Sequence, residues 1–366
     1  MRILVASGSS GGHIFPAVAL INFLRKKGAD LLLVLPLKSK DSFIQFDCGD
    51  VEYISSGTLS FSLSSKNISG VFNFLKGAAQ GLRIIIKFKP DVVVGFGSLH
   101  TVALLFWGWL FRIKTVIHEQ NVIPGKANRI LAKLVDRVAV SFLQTKSYLH
   151  VSSDKALLTG NPIRVELIKV DRQEALSFFK FQEGKFNILI AGGSQGSHKI
   201  NAVTFSSIAS LPDKQNLQIV HIAGPQDFAA LNASYMGQGL TYKLYDFLAA
   251  MQYAYSIADL VICRAGATTI AELQKFNLPA LLIPYPFAYA HQLANARVLE
   301  DIGAAEVVLD ADLNADRLKE RLQAYLCNNE KLEKMRKAYQ KLPVLDATAL
   351  LASEVLSAAI NSADFC

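Results

Sequence analysis

Short apolar runs punctuate the chain at Ile3–Ala6, Leu31–Leu35, Val92–Val94, Thr115–Ile117 and Val138–Val140. They recur at Asn187–Ala191, Gln218–Ile222, Leu260–Cys263, Ala280–Ile283 and Glu306–Leu309. These runs are rich in β-branched residues, lack polar alternation and are separated by helical stretches, as strands buried on both faces are. A parallel α/β sheet is therefore predicted, and it is predicted twice. Each half opens with a strand running into a glycine-rich turn, SGSSGGH at 7–13 and AGGSQGS at 191–197, as nucleotide-binding α/β domains do. The boundary falls at GNPIR, 160–164, because Asn-Pro breaks regular structure and the second strand series begins soon after. The helix after the first turn is expected to start near Pro16. Beyond Asp312, DADLNADRLKERLQAYL and DATALLASEVLSAAI space apolar residues by three and four, and Asp346 reads as an N-cap.

Composition narrows the class. At 366 residues, 51% hydrophobic and 19% charged, the chain can bury a large core, which excludes a disordered or fibrous protein and suits two domains. The net charge of +8 is uneven: residues 1–160 hold 19 basic and 9 acidic side chains, residues 161–366 hold 19 and 21. An anionic partner (a phosphate-bearing substrate, nucleic acid or an acidic membrane surface) belongs with the first half. Cys48, Cys263, Cys327 and Cys366 are scattered without ligand-like spacing, so neither zinc nor a disulfide framework is indicated and a reducing cytosol fits. No signal peptide is legible, so export is not expected, and the longest uncharged apolar run, Leu99–Phe111, is too short to span a bilayer.

Candidate chemistry gathers at strand ends. Gly8-Ser9-Ser10-Gly11-Gly12-His13 is either a plain tight turn or an anion cradle, in which backbone amides and a helix N-terminus face a phosphate. It departs from GxGxxG and lacks the P-loop lysine, which argues against an ordinary dinucleotide or ATP site. An imidazole there, His13, could act as a general base, the alternative being a surface or capping role. Gly192-Gly193-Ser194-Gln195-Gly196-Ser197 offers amides and two hydroxyls to a second phosphate or a sugar. Arg264-Ala265-Gly266-Ala267-Thr268-Thr269 follows a strand and opens a helix whose amides suit a diphosphate. Glu272, one turn on, could accept from two ribose hydroxyls or simply complement the helix dipole. Gln292 and Asn295, three apart, share a helix face and suit sugar hydroxyls, unless they are ordinary surface polar residues. His118-Glu119-Gln120-Asn121 follows a strand at the sheet edge where ligands bind, and Glu119 is a second candidate base or a loop-orienting group.

These segments resemble the peptidoglycan-forming N-acetylglucosaminyltransferases of glycosyltransferase family 28. The likeness runs in order through GSSGGHIFPA, HEQNVIPGKANR, GNPIR, GGSQGS, RAGATTIAEL and PYPFAYAHQLANA to GAA at 303–305. The resemblance implies a GT-B architecture of two Rossmann-like parallel-sheet domains facing across a cleft. It implies an acceptor and membrane-docking domain at 1–163, a UDP-N-acetylglucosamine (UDP-GlcNAc) donor domain at 164–344, and a C-terminal helix, 345–366, that packs back on the first domain. The expected activity is inverting transfer of N-acetylglucosamine from UDP-GlcNAc to the lipid-linked acceptor, lipid I. By the same resemblance Glu272 binds ribose, Ala267, Thr268, Thr269 and Ser194 the diphosphate, and the backbone of Leu248 the uracil. Arg164 matches a binding arginine, and Gln292 with Asn295 beside it holds the sugar. Ser10, Gly11 and Gly12 surround the acceptor diphosphate, Asn121 lies near its sugar, and His13 is the favoured base. One departure concerns the acceptor side: relatives carry glycine-glycine-tyrosine where this chain has Gly97-Ser98-Leu99.

No cofactor is expected. The sole DxD, Asp310-Ala311-Asp312, reads as a helix cap, so no metal requirement is predicted. Between Tyr53 and His118 lie seven Lys/Arg (Lys66, Lys76, Arg83, Lys87, Lys89, Arg112, Lys114) against Asp91 alone, together with Phe72, Phe74, Leu75, Phe106, Trp107, Trp109 and Phe111. This reads as a docking surface for anionic lipid at the cytoplasmic face of the membrane, or else the aromatics are core. Nucleic acid is not expected, and other cell-wall synthesis proteins are conceivable partners. Alternatives are a GT-B glycolipid synthase with another lipid acceptor, a UDP-sugar epimerase of similar fold, and a non-catalytic UDP-sugar-binding relative.

Overall fold

The computed structural model describes residues 1–39, 50–57, 65–193, 195–287 and 291–360, the side chains of 65–68 and 360 aside. The chain divides into two compact units, Met1–Arg164 with the segment from Val344 onward, and Val165–Pro343.

The first unit is built on β1 (Arg2–Ala6), β2 (Asp30–Pro36), β3 (Asp50–Ile54), β4 (Val92–Gly95), β5 (Lys114–Glu119), β6 (Arg137–Val140) and β7 (Ala156–Leu158), all parallel, in the order β3-β2-β1-β4-β5-β6-β7. Successive strand residues point to opposite faces and both faces are covered. Ile3, Val5, Leu33, Val92 and Val94 pack with the helix Gly11–Lys26, while Leu4, Ala6, Val34, Val93 and Ile117 pack with Leu104, Leu105 and Leu131. The helix Ala347–Ile360 belongs to this unit: Leu351, Ala352 and Val355 enter the first of these cores and Glu354 pairs with Arg137 at 2.7 Å. Its start is fixed by Asp346, whose carboxylate accepts from the Ala349 amide.

The second unit holds β8 (Phe186–Ala191), β9 (Leu217–Ile222), β10 (Thr241–Tyr245), β11 (Leu260–Cys263), β12 (Ala280–Leu282) and β13 (Ala305–Val307), parallel in the order β10-β9-β8-β11-β12-β13. In each sheet the chain winds outward on one side of its first strand and then crosses to the other side. The reversal lies between β1 and β4 in one unit and between β8 and β11 in the other. Loops leaving the two strands at such a point diverge and open a crevice, so the motif-bearing turns at 7–13, 191–197 and 264–269 sit where an open α/β sheet binds ligands.

Two sequence expectations are corrected. The first helix starts at Gly11, not near Pro16; Pro16 lies inside it, and His13 is thereby in the helix's first turn. Pro16 lies past the first turn, so its missing amide leaves the Gly12 carbonyl without an intrahelical donor. The second concerns Asp310. It is not a helix cap: Asn314 caps Ala315–Leu326 by accepting from the Arg317 amide, while the Asp310 carboxylate turns inward to Arg264 at 2.5 Å and Lys199 at 3.5 Å.

Candidate functional site

In the first unit the turn at 7–13 and the loop carrying Gly97 meet at His13. Its ring lies between two residues without side chains: a Cβ at Gly8 would come within 2.7 Å of Nδ1, and one at Gly97 within 3.2 Å of Nε2. Gly97 also has φ +81°, so a side chain there is opposed both by the backbone and by the ring. The Ser10 hydroxyl is 2.9 Å from Nδ1. With Nδ1–H donating to that hydroxyl, Nε2 is left with the lone pair a base needs. The surrounding chain desolvates the half-buried imidazole and pushes its pKa down to about 4, which keeps it neutral near pH 7. The amides of His13 and Ile14 both bond to the Ser10 carbonyl, so Gly11 and Gly12 present the amides at the helix start.

Glu119, at the end of β5, is buried, and its two oxygens accept four N–H bonds: Oε1 from the Asn121 amide and side chain, Oε2 from the Gly125 amide and, at 2.8 Å, from Asn128 Nδ2. Burial pushes the carboxyl above its ordinary range while these donors pull the other way. With both oxygens engaged by the chain, Glu119 is disposed to orient the loop carrying Asn121, the alternative to a base. Asn128 Nδ2 also lies near the Gly97 loop, where a Cβ on Gly97 would come within 3.9 Å of it. Arg164, expected near the donor, belongs to the first unit by contact and lays its guanidinium over the Phe15 ring at 5.0 Å.

In the second unit Arg264, at the end of β11, organises the loops. Its guanidinium donates to Ser197 Oγ in the glycine turn, to the Ile283 and Pro284 carbonyls and to Asp310, and lies over the Tyr285 ring. No role was read for Arg264 from sequence, although its place directly after a strand was the available signal. The next helix, Ala267–Phe276, makes its first long bond from Ile270 N to Gly266 O, leaving the Ala267, Thr268 and Thr269 amides as its first-turn donors. Glu272 is buried and accepts from the Tyr255 hydroxyl at 2.7 Å. Gln292 Oε1 accepts from the Ala265 and Tyr285 amides, orienting Nε2 away from them. Asn295 departs from its expected role: it is fully buried and its Nδ2 donates to the Ala265 carbonyl, a tie beneath the turn. The Leu248 side chain is buried, and Ser194 lies outside the described residues. Among the described residues no group of three or more His, Cys, Asp or Glu is arranged to hold a metal.

Two doubly wound sheets, each with a glycine turn at its reversal point, make this a protein of the GT-B fold. The model of the glycosyltransferase family 28 N-terminal domain matches residues 3–140 and that of the C-terminal domain matches 187–351. The UDP-N-acetylglucosamine--N-acetylmuramyl-(pentapeptide) pyrophosphoryl-undecaprenol N-acetylglucosamine transferase of Halothermothrix orenii is 36% identical, over 93% of this chain and 95% of its own length. The enzyme of the same description from Thermodesulfovibrio yellowstonii is 37% identical over 92% and 93%. The crystal structure of Acinetobacter baumannii MurG superposes with a TM-score of 0.76 at 26% identity, covering 97% of this chain and 99% of that one. The chain belongs to glycosyltransferase family 28.

Proposed function

We propose that this chain transfers N-acetylglucosamine from UDP-GlcNAc to the muramic acid 4-hydroxyl of lipid I, forming lipid II for peptidoglycan synthesis. The observation that carries this reading is identity of 36% along 93% of the chain to an enzyme named for that transfer. The reaction is a single inverting displacement. His13 Nε2 takes the proton of the acceptor hydroxyl as its oxygen attacks the anomeric carbon, and the bond to the UDP oxygen breaks with the electron pair leaving on the diphosphate. The amides of Ala267 to Thr269 at a helix N-terminus meet that growing charge, with Ser194 in the glycine turn. Glu272 accepts from ribose hydroxyls, Leu248 meets uracil through its backbone, and Gln292 Nε2 holds the donor sugar. The first unit takes the acceptor, whose diphosphate lies against Ser10, Gly11 and Gly12 with Asn121 near its sugar, and the second unit, Val165–Pro343, takes the donor, with the binding arginine Arg164 immediately before it. Metal is not required, a reading supported by the engagement of Asp310 with Arg264 and Lys199.

A lipid-linked acceptor calls for contact with the bilayer. The helices Ser65–Phe88 and Leu99–Leu110 pack side by side through the Trp107 indole, which donates to the Ala78 carbonyl, and expose Phe72, Leu75, Ile86, Phe106, Trp109 and Phe111. Phe74 and Trp107 are half-buried, Trp107 against the core of the first unit. Lys76, Arg83, Lys87 and Arg112 are exposed in the same region, which supports peripheral docking on anionic lipid at the cytoplasmic face. No described helix is long and apolar enough to cross a membrane.

The test is turnover of labelled UDP-GlcNAc with lipid I. Wild type is expected to form lipid II; His13→Ala is expected to lose rate with donor binding retained, and Glu272→Ala to weaken donor binding. Absence of lipid II with authentic lipid I would overturn the reading.

A further inference from the structure

Ser98 has φ +82° and ψ 154°, a conformation open almost only to glycine, and it sits in the loop that presses Gly97 against His13. Such a backbone persists only where neighbours over-determine it. Here the Ser98 carbonyl accepts from the Thr101 amide and, at 2.7 Å, from the Thr101 hydroxyl, and the Ser98 hydroxyl lies 3.1 Å from His100 Nδ1. On its other side His100 Nε2 is 2.7 Å from the carbonyl of Ser7, the residue that opens the first glycine turn.

A carbonyl can only accept, so Nε2 of His100 carries the proton. Nδ1 is then the lone-pair nitrogen of the neutral ring and accepts from the Ser98 hydroxyl. The ring is 2% exposed, and burial pushes its pKa down to about 4, so this tautomer holds near pH 7. One buried imidazole therefore joins the two loops that enclose His13 and directs the hydroxyl of the strained serine between them.

We infer that His100 is a positioning residue for the transfer, holding the Gly97–Ser98 loop onto the turn at 7–13 so that the His13 ring is fixed between Gly8 and Gly97. It reaches the reaction only through these loops and touches neither sugar. The inference rests on the lipid I reading for its kinetic consequence, but the geometry it asserts can be measured without turnover.

The predicted consequences separate His100 from ordinary core packing. His100→Val removes both hydrogen bonds and leaves Ser98 with a backbone it no longer has reason to keep. His100→Gln retains a donor that can reach the Ser7 carbonyl. Ser98→Gly makes the same loop conformation unstrained without His100.

Steady-state kinetics with lipid I and UDP-GlcNAc are measured alongside UDP binding by calorimetry and histidine 15N shifts by NMR. His100→Val is expected to lower kcat at least tenfold while the UDP Kd stays within twofold, because the donor loops lie in the other unit. Ser98→Gly added to His100→Val, and His100→Gln alone, are each expected to recover most of the rate. The His13 ring nitrogens should shift in His100→Val and return in the double variant. Unchanged kcat in His100→Val overturns the inference, as does a loss that neither Ser98→Gly nor His100→Gln repairs. Unmoved His13 signals overturn it even if lipid I proves not to be the acceptor, whereas shifted and restored signals in a chain that makes no lipid II leave the loop role standing and sink only the acceptor reading.

Discussion

Arg264 and Asp310, 46 positions apart, form an ion pair with Nη1 and Oδ1 separated by 2.5 Å and both side chains largely shielded from water. The pair joins the turn after β11 to the segment after β13; the same Nη1 also reaches the Ile283 and Pro284 carbonyls, and Nη2 holds the Ser197 hydroxyl. A planar fork reaches acceptors on two sides from two nitrogens held a fixed distance apart; an ammonium, with a single nitrogen, cannot. Arg264→Lys is therefore expected to destabilise the second unit by about 1–3 kcal/mol, since lysine keeps the charge opposite Asp310 but leaves the Ser197 hydroxyl and the 283–284 carbonyls short of donors. Urea unfolding checks the stability, and calorimetry should show UDP-GlcNAc binding at least tenfold weaker. Full retention of both would show that the pair organises nothing.

The same pairing bears on metal use. Activity on lipid I should survive excess chelator, because the Asp310 carboxylate is already engaged by Arg264 and Lys199. Loss of activity restored by magnesium would refute this.

Acid should weaken the first unit. Burial lowers the pKa values of His13, His100 and His118 to about 4, whereas in the unfolded chain they return to about 6.5. Between these values the unfolded chain binds up to three more protons than the folded unit, so stability falls as pH drops through 6.5 and levels off below about 4. Denaturant titrations at pH 7.5, 6 and 5 should show the decline. The acid limb of kcat/KM should accordingly lie below pH 6, since His13 remains an unprotonated base until then; a limb centred near 6.5 would contradict a desolvated His13.

Glu119 offers a test that separates orientation from proton transfer. As a loop anchor, Glu119→Gln should cost less than about tenfold in kcat, whereas loss of a general base costs roughly 10²–10⁴-fold. Asn128→Leu removes one of the two donors to Oε2 and should destabilise by about 1–3 kcal/mol, with a raised KM for lipid I because Asn121 rides on the same loop.

Docking should depend on charge as well as on apolar surface. Lys76→Gln, Arg83→Gln and Lys87→Gln are each expected to lower partition onto phosphatidylglycerol vesicles about fivefold, roughly 1 kcal/mol per charge. Phe72→Ser with Trp109→Ser should reduce binding to neutral and anionic vesicles alike. Binding indifferent to anionic lipid content would remove the proposed surface.

The ten strands legible in the sequence are those whose apolar runs are continuous, and nine of them have a sheet neighbour on each side. Such strands are buried on both faces, so most positions are apolar, with Thr115, Asn187, Gln218 and His221 as buried polar exceptions, and the signal is local. The three strands found only in the structure, β3, β7 and β10, are all edge strands, and DVEYI and TYKLY mix exposed with half-buried positions because one side meets water. The glycine turns and the RAGATT helix start were legible for a similar reason: amide exposure at a strand-to-helix junction is dictated by a few adjacent residues. What tertiary structure alone decided are partnerships across long sequence separations. Sequence offered Asp310 as a cap, Asn295 as a sugar ligand and His100 as nothing in particular. Folding sends Asp310 to Arg264, buries Asn295 beneath Ala265 and sets His100 between Ser98 and Ser7. A polar side chain's role is fixed by whichever partner the fold brings within about 3 Å, and no local pattern encodes that distance.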